Sequence, residues 1–433
     1  MSRKIGMISL GCPKNQVDAE IMLKKLVDAG YVLVQDADKA DIVIVNTCGF
    51  IEDAKKESID AILEMADLKE DGILKKILVT GCLAQRYADE VISEIPEVDG
   101  VIGIGANADI VAVCDAIFEN EEVYSSFPDK ELLPLDGGRI LTTPEYTAYL
   151  KIADGCSNCC SYCAIPSIRG AFRSRKMDDV LEEANALCEK GVKEIILVAQ
   201  DTTRYGEDLY GELKLPELLN ELNKIEKLQW IRLLYCYPER VTDELLNAIA
   251  ENEKVCHYID IPMQHADGEI LKAMNRKGDK ESLLALVEKI RARIPDVVLR
   301  TTFITGFPGE TEEEFMETYE FIKKCRFSKL HVFPYSKREG TKAASMDGHL
   351  SNDIKKDRAR RLIEIDKDLQ LTYNERFINK KVNVLIEEVI DGNSIGHTEN
   401  FLKVIINEKL KENTCYDVII DSVNEDEVYG KIV

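Results

Sequence analysis

The feature that most constrains the fold is a repeated alternation of unbroken apolar runs with helical stretches. In the first part of the chain the runs are MISLGC, DIVIVNTC and KKILVTGC, which end at residues 12, 48 and 82, with VDGVIGIG at 98–105 as a further candidate strand. Residues 19–29 have helical periodicity. Runs that are apolar on both faces and alternate with helices are typical of buried parallel sheets. The sequence therefore predicts an α/β fold with a parallel-sheet N-terminal domain over residues 1–119.

A second alternation begins near Ala148. Its candidate strands are AYLKIA, EIILVAQ, WIRLLY, YIDIP, VVLRTTFI and LHVF, with helical stretches such as DDVLEEANALCEKG and ESLLALVEKIRARI between them. Six strand–helix units predict a partial or full parallel (β/α) barrel over residues 142–370, in which chemistry takes place at the carboxyl ends of the strands. The segment 119–146 is rich in Asp, Glu, Pro and Gly, and we interpret it as a linker.

The last part of the chain, residues 371–433, changes character. KKVNVLIEEVI, FLKVIINEKL, CYDVIIDSV and EVYGKIV are short runs with alternating polarity, and DGNSIG at 391–396 resembles a turn. This pattern predicts a small all-β C-terminal barrel.

Composition narrows the class of protein. The 433 residues are 45% hydrophobic, which is enough to form buried cores. The net charge of −23 argues against broad, charge-driven binding of nucleic acid, although it permits a local basic site. No run of 18 apolar residues predicts a membrane span, and the first 20 residues contain no long apolar stretch of a secretory signal. We expect a cytoplasmic chain with reduced thiols, in which clustered cysteines are metal ligands or catalysts.

The strongest functional signal is the segment GCSNCCSYC, which follows the predicted strand AYLKIA. Cys156, Cys160 and Cys163 form a C-x3-C-x2-C pattern. Three thiolates on one short loop can hold three irons of a 4Fe-4S cluster and leave the fourth iron free for a substrate or cofactor. A zinc knuckle is the alternative, but zinc takes four ligands and no fourth Cys or His stands at finger spacing. We assign no ligand role to Cys159.

A second set of cysteines, Cys12, Cys48 and Cys82, is less obvious. Each follows the end of a predicted parallel strand and has a glycine beside it. Because the carboxyl ends of parallel strands meet at one edge of a sheet, the three thiols can converge although more than 30 residues separate them along the chain. Glycine also lets a backbone approach a cluster closely. Three buried structural cysteines are the alternative, and the pattern leaves both interpretations open.

These cysteine patterns resemble those of a known family. The C-x3-C-x2-C loop on the first strand of a barrel is the hallmark of radical S-adenosylmethionine (SAM) enzymes, and the three parts together resemble the methylthiotransferases. Proteins of that family combine an MTTase N-terminal domain, a radical SAM domain and a TRAM barrel. The resemblance implies that Cys156, Cys160 and Cys163 hold the radical 4Fe-4S cluster, which binds SAM, and that Cys12, Cys48 and Cys82 hold an auxiliary 4Fe-4S cluster. The other seven cysteines match no ligand position.

The resemblance also implies a reaction. A 5′-deoxyadenosyl radical formed from SAM removes hydrogen from a substrate carbon, sulfur associated with the auxiliary cluster attacks that carbon, and a second SAM supplies the methyl group. The expected partners are an electron donor and a sulfur source.

Several motifs resemble the family branch that modifies an aspartate on the twelfth protein of the ribosomal small subunit. They are GCPKNQVDAE, CAIPSIRGAFRSR, AQDTTRYGEDLYG, LLYCYPERVTDELL and YIDIPMQHADGEIL. The expected substrate is thus a basic ribosomal protein. The C-terminal barrel, with 12 acidic and seven basic residues and a net charge of −5, suits such a substrate better than tRNA.

Two alternatives remain. Two C-terminal motifs look more like the branch that modifies threonylcarbamoyladenosine in tRNA, namely HVFPYSKREGTKAA at 331–344 and GHTENFLKVII at 396–406. The second hypothesis is therefore methylthiolation of a modified adenosine in tRNA, of the threonylcarbamoyladenosine or the isopentenyladenosine type. The third hypothesis is a non-catalytic iron–sulfur or zinc protein that binds RNA through its barrel.

Other polar residues carry weaker signals. Arg169, Arg173, Arg175 and Lys176 follow the cysteine loop, and they are either contacts for a substrate or cofactor carboxylate or a solvated charged face. His265 receives no catalytic role, and Thr311 is expected to cap a helix. Asp201 and Glu207 are candidates near the substrate, which the sequence does not decide.

Overall fold

A computed structural model describes residues 3–424 and 427–433 of the chain. The strands of its first unit are β1 (Lys4–Ser9), β2 (Val32–Leu33), β3 (Ile42–Thr47), β4 (Lys76–Gly81), β5 (Gly100–Ile102) and β6 (Tyr124–Ser126). They form a parallel sheet in the spatial order β2-β1-β3-β4-β5-β6. The helices are α1 (Pro13–Asp28), α2 (Glu52–Glu70), α3 (Cys82–Arg86), α4 (Ala88–Glu94) and α5 (Ile110–Glu119).

Strand β3 shows why the predicted runs are apolar throughout. Val43 and Val45 pack on the side of the sheet that α2 covers, whereas Ile42 and Ile44 pack on the opposite side with residues of α1 and α5. A strand covered on both faces needs an apolar side chain at every position. The prediction of a parallel N-terminal sheet is confirmed.

Two details of this unit differ from the sequence predictions. The first strand ends at Ser9 instead of residue 12, because Pro13 begins α1 and the intervening residues turn the chain. The segment 119–146 is more than a linker, since it contributes β6 to the edge of the sheet. Arg139 from the same segment is buried and pairs with Glu20 of α1 at 2.9 Å. Polar composition alone does not reveal a short edge strand.

The second unit is another parallel sheet. Its strands are β7 (Thr147–Lys151), β8 (Ala153–Asp154), β9 (Arg173–Ser174), β10 (Glu194–Val198), β11 (Trp230–Leu233), β12 (Val255–Asp260), β13 (Val298–Thr305) and β14 (Lys329–Pro334). Six of them form a sheet in the order β14-β13-β12-β11-β10-β7, and β8 pairs with β9 separately. Because β7 and β14 are the two edges of this sheet, the barrel is partial.

Helices cover one face of this sheet. The helices of this unit are α6 (Ile165–Arg169), α7 (Met177–Glu189), α8 (Glu207–Tyr210), α9 (Leu215–Leu222), α10 (Asp243–Glu251), α11 (Gly268–Ala273), α12 (Lys280–Arg293), α13 (Glu312–Cys325) and α14 (Asn352–Glu375). All of them except α6 and α8 contribute residues to the core on that face. Ile195 and Leu197 of β10 pack with helix residues, whereas Ile196 and Val198 face the other side and cluster with Leu385 of the third unit. Of the helices in the described parts of the chain, none is both long and apolar enough to span a membrane.

The third unit is a closed five-stranded barrel. Its strands are β15 (Lys381–Ile390), β16 (Asn393–Thr398), β17 (Lys403–Ile406), β18 (Cys415–Val423) and β19 (Val428–Ile432), in the order β15-β16-β17-β19-β18. Helix α14 passes through residue 370 and ends at Glu375, just before the barrel. The predicted small β-barrel is confirmed.

The prediction of a turn over 391–396 is wrong, because most of this segment is β16. Only Asp391 and Gly392 make the turn, and both have positive φ, +51° and +85°. This is the geometry of a two-residue hairpin turn, for which Asp-Gly is a preferred sequence.

Buried ion pairs connect the barrel to the amino ends of the strands in the second sheet. Glu194, at the start of β10, pairs with Arg232 at 2.7 Å and with His397 of β16 at 2.9 Å. Arg232 also donates to the carbonyl of Glu399 at 2.6 Å and lies 4.1 Å from the Phe401 ring centroid. The barrel thus closes the end of the sheet opposite the carboxyl edge.

Candidate functional site

Cys12, Cys48 and Cys82 lie together at the carboxyl edge of the first sheet. Cys12 precedes α1, Cys48 follows β3, and Cys82 begins α3 directly after β4. Gly11 has φ +91°, and a Cβ atom built on it would stand 2.8 Å from the Cys48 Sγ atom. The backbone beside Cys12 therefore lies against the thiol of Cys48, and glycine is the residue that permits this approach.

Burial and neighbouring charges raise the pKa values of two of these thiols. Burial, the largest cause, raises the pKa of Cys82 to about 12, Arg169 opposes this change, and the charges of Cys12 and Cys48 add to it. Burial also raises the pKa of Cys48, and Cys12 contributes in the same direction. Since cysteine binds metal as the thiolate, the positive charge of a bound metal would have to offset these raised pKa values.

Cys156, Cys160 and Cys163 lie on the loop that follows β8, at the carboxyl edge of the second sheet. Burial raises the pKa of Cys156 to about 11 and that of Cys163 to about 12, and the charge of Cys160 raises both. The Tyr237 hydroxyl lies 3.0 Å from the Cys160 Sγ atom. Cys159, between Cys156 and Cys160 in the chain, is exposed.

Both sets of three cysteines fit iron–sulfur clusters. Within the residues that the structure describes, no three His, Cys, Asp or Glu side chains are arranged to hold one metal ion. Ligands of a single zinc ion stand about 4 Å apart. A 4Fe-4S cluster gives each thiolate its own iron and so separates the sulfur atoms further. Three thiolates at each sheet edge are the donor set that such a cluster takes.

A buried network of charges joins the two cysteine sets. Arg169 of α6 pairs with Asp154 at 2.8 Å and with Asp18 of α1 at 2.9 Å, and its Nη2 atom lies 3.8 Å from the Cys82 Sγ atom. Lys151 pairs with the same two aspartates. Although burial opposes it, the charges of Arg169 and Lys151 hold the pKa of Asp154 well below its usual range. Two cations balance two carboxylates, which offsets their desolvation.

Arg338 makes a further link that the sequence did not indicate. It follows β14 and donates to the carbonyl of Phe50, beyond Cys48, and to the carbonyl of Tyr162 at 2.7 Å. The two cysteine loops are therefore tied together by one buried guanidinium. Arg338 and Phe50 are 288 residues apart, and backbone carbonyls carry no sequence signature, so no motif could reveal this contact.

The four basic residues after the cysteine loop do not form one patch. Arg169 is 1% exposed and belongs to the network above, whereas Arg175 is buried and pairs with Glu183 at 2.6 Å. Arg173 is half-buried and donates to a carbonyl, and Lys176 is exposed. The four residues therefore neither contact one shared carboxylate nor form one solvated charged face.

Asp201 lies beside the second cysteine set, and Glu207 is paired elsewhere. Asp201 is buried and accepts hydrogen bonds from Asn158, within the cysteine loop, at 2.8 Å and from Arg240 at 3.0 Å. Glu207 pairs with Arg204 at 2.6 Å. Asp201 therefore supports the conformation of the loop.

His265 and Thr311 have structural contacts. The buried His265 Nδ1 accepts a hydrogen bond from the Asp267 N–H at 3.0 Å, and its Nε2 lies 3.5 Å from Glu310. Thr311 caps α13 in a capping box with Glu314, which confirms the expected cap.

Of the seven cysteines outside the two sets, five are buried: Cys114, Cys188, Cys236, Cys256 and Cys325. Cys159 is exposed, and Cys415 is partly buried.

Known proteins match the chain over most of its length. Residues 4–103 match the Uncharacterized protein family UPF0004, and residues 150–322 match the Radical SAM superfamily. Among solved structures, the radical S-adenosylmethionine methyltransferase TsrM from Kitasatospora setae has a TM-score of 0.59 at 15% identity, over 79% of this chain and 77% of that one. The cobalamin-dependent S-adenosylmethionine radical enzyme OxsB has a TM-score of 0.53 at 13% identity, over 85% of this chain and 56% of that one. The fold is that of radical SAM enzymes.

Relatives of higher identity define the family. Ribosomal protein uS12 methylthiotransferase RimO of Desulforamulus reducens is 50% identical over 388 residues, which cover 89% of this chain and 87% of that protein. RimO of Lachnoclostridium phytofermentans is 46% identical over 437 residues and covers 99% of both chains. The chain belongs to the RimO family of methylthiotransferases. Because the second match includes the barrel, the tRNA-like motifs near the C-terminus do not remove the chain from this family.

Proposed function

We propose that this protein inserts a methylthio group at the β-carbon of an aspartate of ribosomal protein uS12. The observation that carries the proposal is the convergence of two sets of three cysteines, at the facing carboxyl edges of two parallel sheets, in a chain 50% identical to proteins named for this reaction. The acidic barrel, with its net charge of −5, suits a basic protein substrate.

In this proposal Cys156, Cys160 and Cys163 hold the radical cluster and Cys12, Cys48 and Cys82 hold the auxiliary cluster. When bound, the two clusters and SAM supply the radical, the sulfur and the methyl group. The chain itself positions these groups. The network around Arg169 and the bridge made by Arg338 hold the two sheet edges together, so that a substrate carbon between them reaches both sites.

The reaction needs electrons and sulfur from outside the chain. An electron donor and a sulfur source are therefore expected partners. Within the chain, the loop of the radical cluster is supported by hydrogen bonds of Tyr237 and Asp201.

The substrate is tested by mass spectrometry of a deletion strain. Loss of the gene should remove a mass increment of about 46 Da, a methylthio group in place of hydrogen, from uS12. If the deletion strain instead lacks the methylthio group on a tRNA nucleoside, and its uS12 has the same mass as in the wild type, the tRNA hypothesis is supported.

The radical site is tested by a Cys156→Ala, Cys160→Ala, Cys163→Ala triple variant. We expect it to lose the formation of 5′-deoxyadenosine and about four of about eight irons per chain, because three thiolate ligands are gone. Cys159→Ala, in the same loop, is the matched control and should keep its iron. Undiminished deoxyadenosine from the triple variant would contradict the assignment.

A further inference from the structure

Lys14 is a buried cation at the edge of the first cysteine set. It lies in the first turn of α1, two residues after Cys12, and is 7% exposed. Its Nζ atom stands 3.5 Å from the centroid of the Tyr235 ring, which follows β11 of the second sheet. The contact therefore crosses the junction between the two sheets, where the proposed substrate carbon lies.

The ring that faces Lys14 is held in an unusual conformation. Tyr235 has φ +61°, in the left-handed region that non-glycine residues rarely adopt. Its N–H donates to Asp260 at 3.0 Å, and its carbonyl accepts from the Thr202 N–H at 3.1 Å. Two hydrogen bonds thus maintain a strained residue, and strain of this kind concentrates at functional sites.

The segment that carries Tyr235 also reaches the other cysteine set. Two residues further on, the Tyr237 hydroxyl lies 3.0 Å from the Cys160 Sγ atom. Residues 235–237 therefore span the distance between Lys14, beside Cys12, and the radical loop. A group bound at Lys14 would lie beside Cys12 and next to the segment that contacts Cys160.

Lys14 lacks the partners that neighbouring buried cations have. Lys151 and Arg169 each pair with two aspartates. In the described parts of the chain no carboxylate lies within ion-pair distance of Lys14, which instead interacts with the Tyr235 side chain and with the neighbouring Cys12. A buried ammonium is stable when an anion pairs with it, and a ring face compensates only in part. An anionic ligand would complete this pairing.

We infer that Lys14 binds the side-chain carboxylate of the substrate aspartate and so selects a protein aspartate over a tRNA base. The inference rests on the proposed function. An ion pair with Lys14 fixes the carboxylate and directs the adjacent β-carbon toward the space between the two cysteine sets. Lys14 is in this sense a specificity-determining residue.

Two other anions could occupy the site, and the experiment separates them. One is the carboxylate of SAM, and the other is the negative charge of a cluster held by Cys12. Either would make Lys14 important for every substrate, whereas a contact with the target aspartate matters only when that aspartate carries its carboxylate.

The test is a double-mutant cycle on the reconstituted holoenzyme. Wild type and Lys14→Met are each titrated with uS12 and with uS12 in which the target aspartate is asparagine, at saturating SAM, and dissociation constants are measured. We expect Lys14→Met to bind unaltered uS12 at least tenfold more weakly, about 1.4 kcal/mol. The two enzymes should bind the asparagine form within about twofold of each other. Lys14→Gln, a polar variant without the charge, should behave as Lys14→Met does.

Lys24→Met is the matched control, because Lys24 lies on the same helix with an exposed partner, Asp28. It should bind both forms of uS12 as wild type does. The inference would be overturned if Lys14→Met and Lys14→Gln weakened the binding of both forms of uS12 equally. It would also be overturned if these variants lost only their affinity for SAM. Failure of wild type to bind or modify uS12 would contradict the proposed function itself and the inference with it.

Discussion

Gly155 stands directly before Cys156 in a conformation that few other residues adopt. Its φ is +77°, and a Cβ atom built on it would lie 1.9 Å from the carbonyl oxygen of Ala171. Because a backbone carbonyl cannot move aside cheaply, Gly155→Ala should push the cysteine loop out of place. We expect the iron content to fall from about eight to about four per chain, as measured by iron analysis of the anaerobically reconstituted protein.

Gly211→Ala is the control for this prediction. Gly211 has a similar φ of +74°, but a Cβ atom built there would meet nothing within 4 Å. This variant should lose about 1 kcal/mol of stability from backbone strain alone and keep its iron. Full iron in Gly155→Ala would contradict the requirement for glycine beside Cys156.

The sequence predicts some residues of the candidate site and leaves others undecided. Cys156, Cys160 and Cys163 are close in sequence, so their spacing alone indicates a shared site. Arg169 was visible only as a basic residue, and the pattern could not say whether it was buried or solvated. Its role depends on Asp18, which is 151 residues away.

Helix α13 begins with a capping box that the sequence predicts in part. The Thr311 side chain accepts a hydrogen bond from the Glu314 N–H at 3.2 Å, and Glu314 accepts one from the Thr311 N–H at 2.7 Å. Thr311→Ala removes the acceptor and should lower the free energy of unfolding by about 1 kcal/mol in a urea titration.

Thr372→Ala tests whether that change is specific to the cap. Thr372 is an exposed residue inside α14 whose hydroxyl donates to the carbonyl of Asp368. Its removal should change the free energy of unfolding by less than about 0.5 kcal/mol. Similar effects from both variants would show that Thr311 does not act as a cap.

Strands with strong local apolar signals were predicted, whereas β6 and β16 were missed. The strands β3 and β4 carry continuous apolar runs. The strand β6 has only three residues, and β16 was hidden by its polar and glycine residues. The dipeptide Asp391-Gly392 was the available signal for the hairpin, since both positions require positive φ.

The attachment of the barrel to the second sheet depends on a histidine. His397 Nε2 lies 2.9 Å from Glu194, and its Nδ1 lies 2.7 Å from Glu387, with Arg232 on the other side of Glu194. Burial lowers the pKa of His397, but the hydrogen bonds and charges of the two glutamates outweigh it and raise the pKa to about 9.

The ordinary pKa of His397 is 6.5, so its charged form is favoured in the folded protein. The resulting stabilisation is fully present below about pH 6.5 and is lost as the pH rises through about 9. The shift corresponds to at most about 3 kcal/mol. We expect the difference in free energy of unfolding between wild type and His397→Gln to shrink between pH 6 and pH 10, as followed by hydrogen exchange of the barrel strands.

His257→Gln is the control, because His257 pairs with the exposed Asp296 at 2.7 Å on the surface. It should change stability by less than about 1 kcal/mol at either pH. A pH-independent difference for His397→Gln would contradict a charged His397 at the interface.

The sequence by itself determined the two parallel sheets, the small barrel and the cysteine loop of Cys156, Cys160 and Cys163. These follow from hydrophobic periodicity and ligand spacing, which act over a few residues. Only the tertiary structure decided that the two carboxyl edges face each other, that Arg169 and Arg338 join them, and that the barrel closes the opposite end through Glu194 and His397, 203 residues apart. Buried charges are stable only with particular partners, and the fold alone brings those partners together.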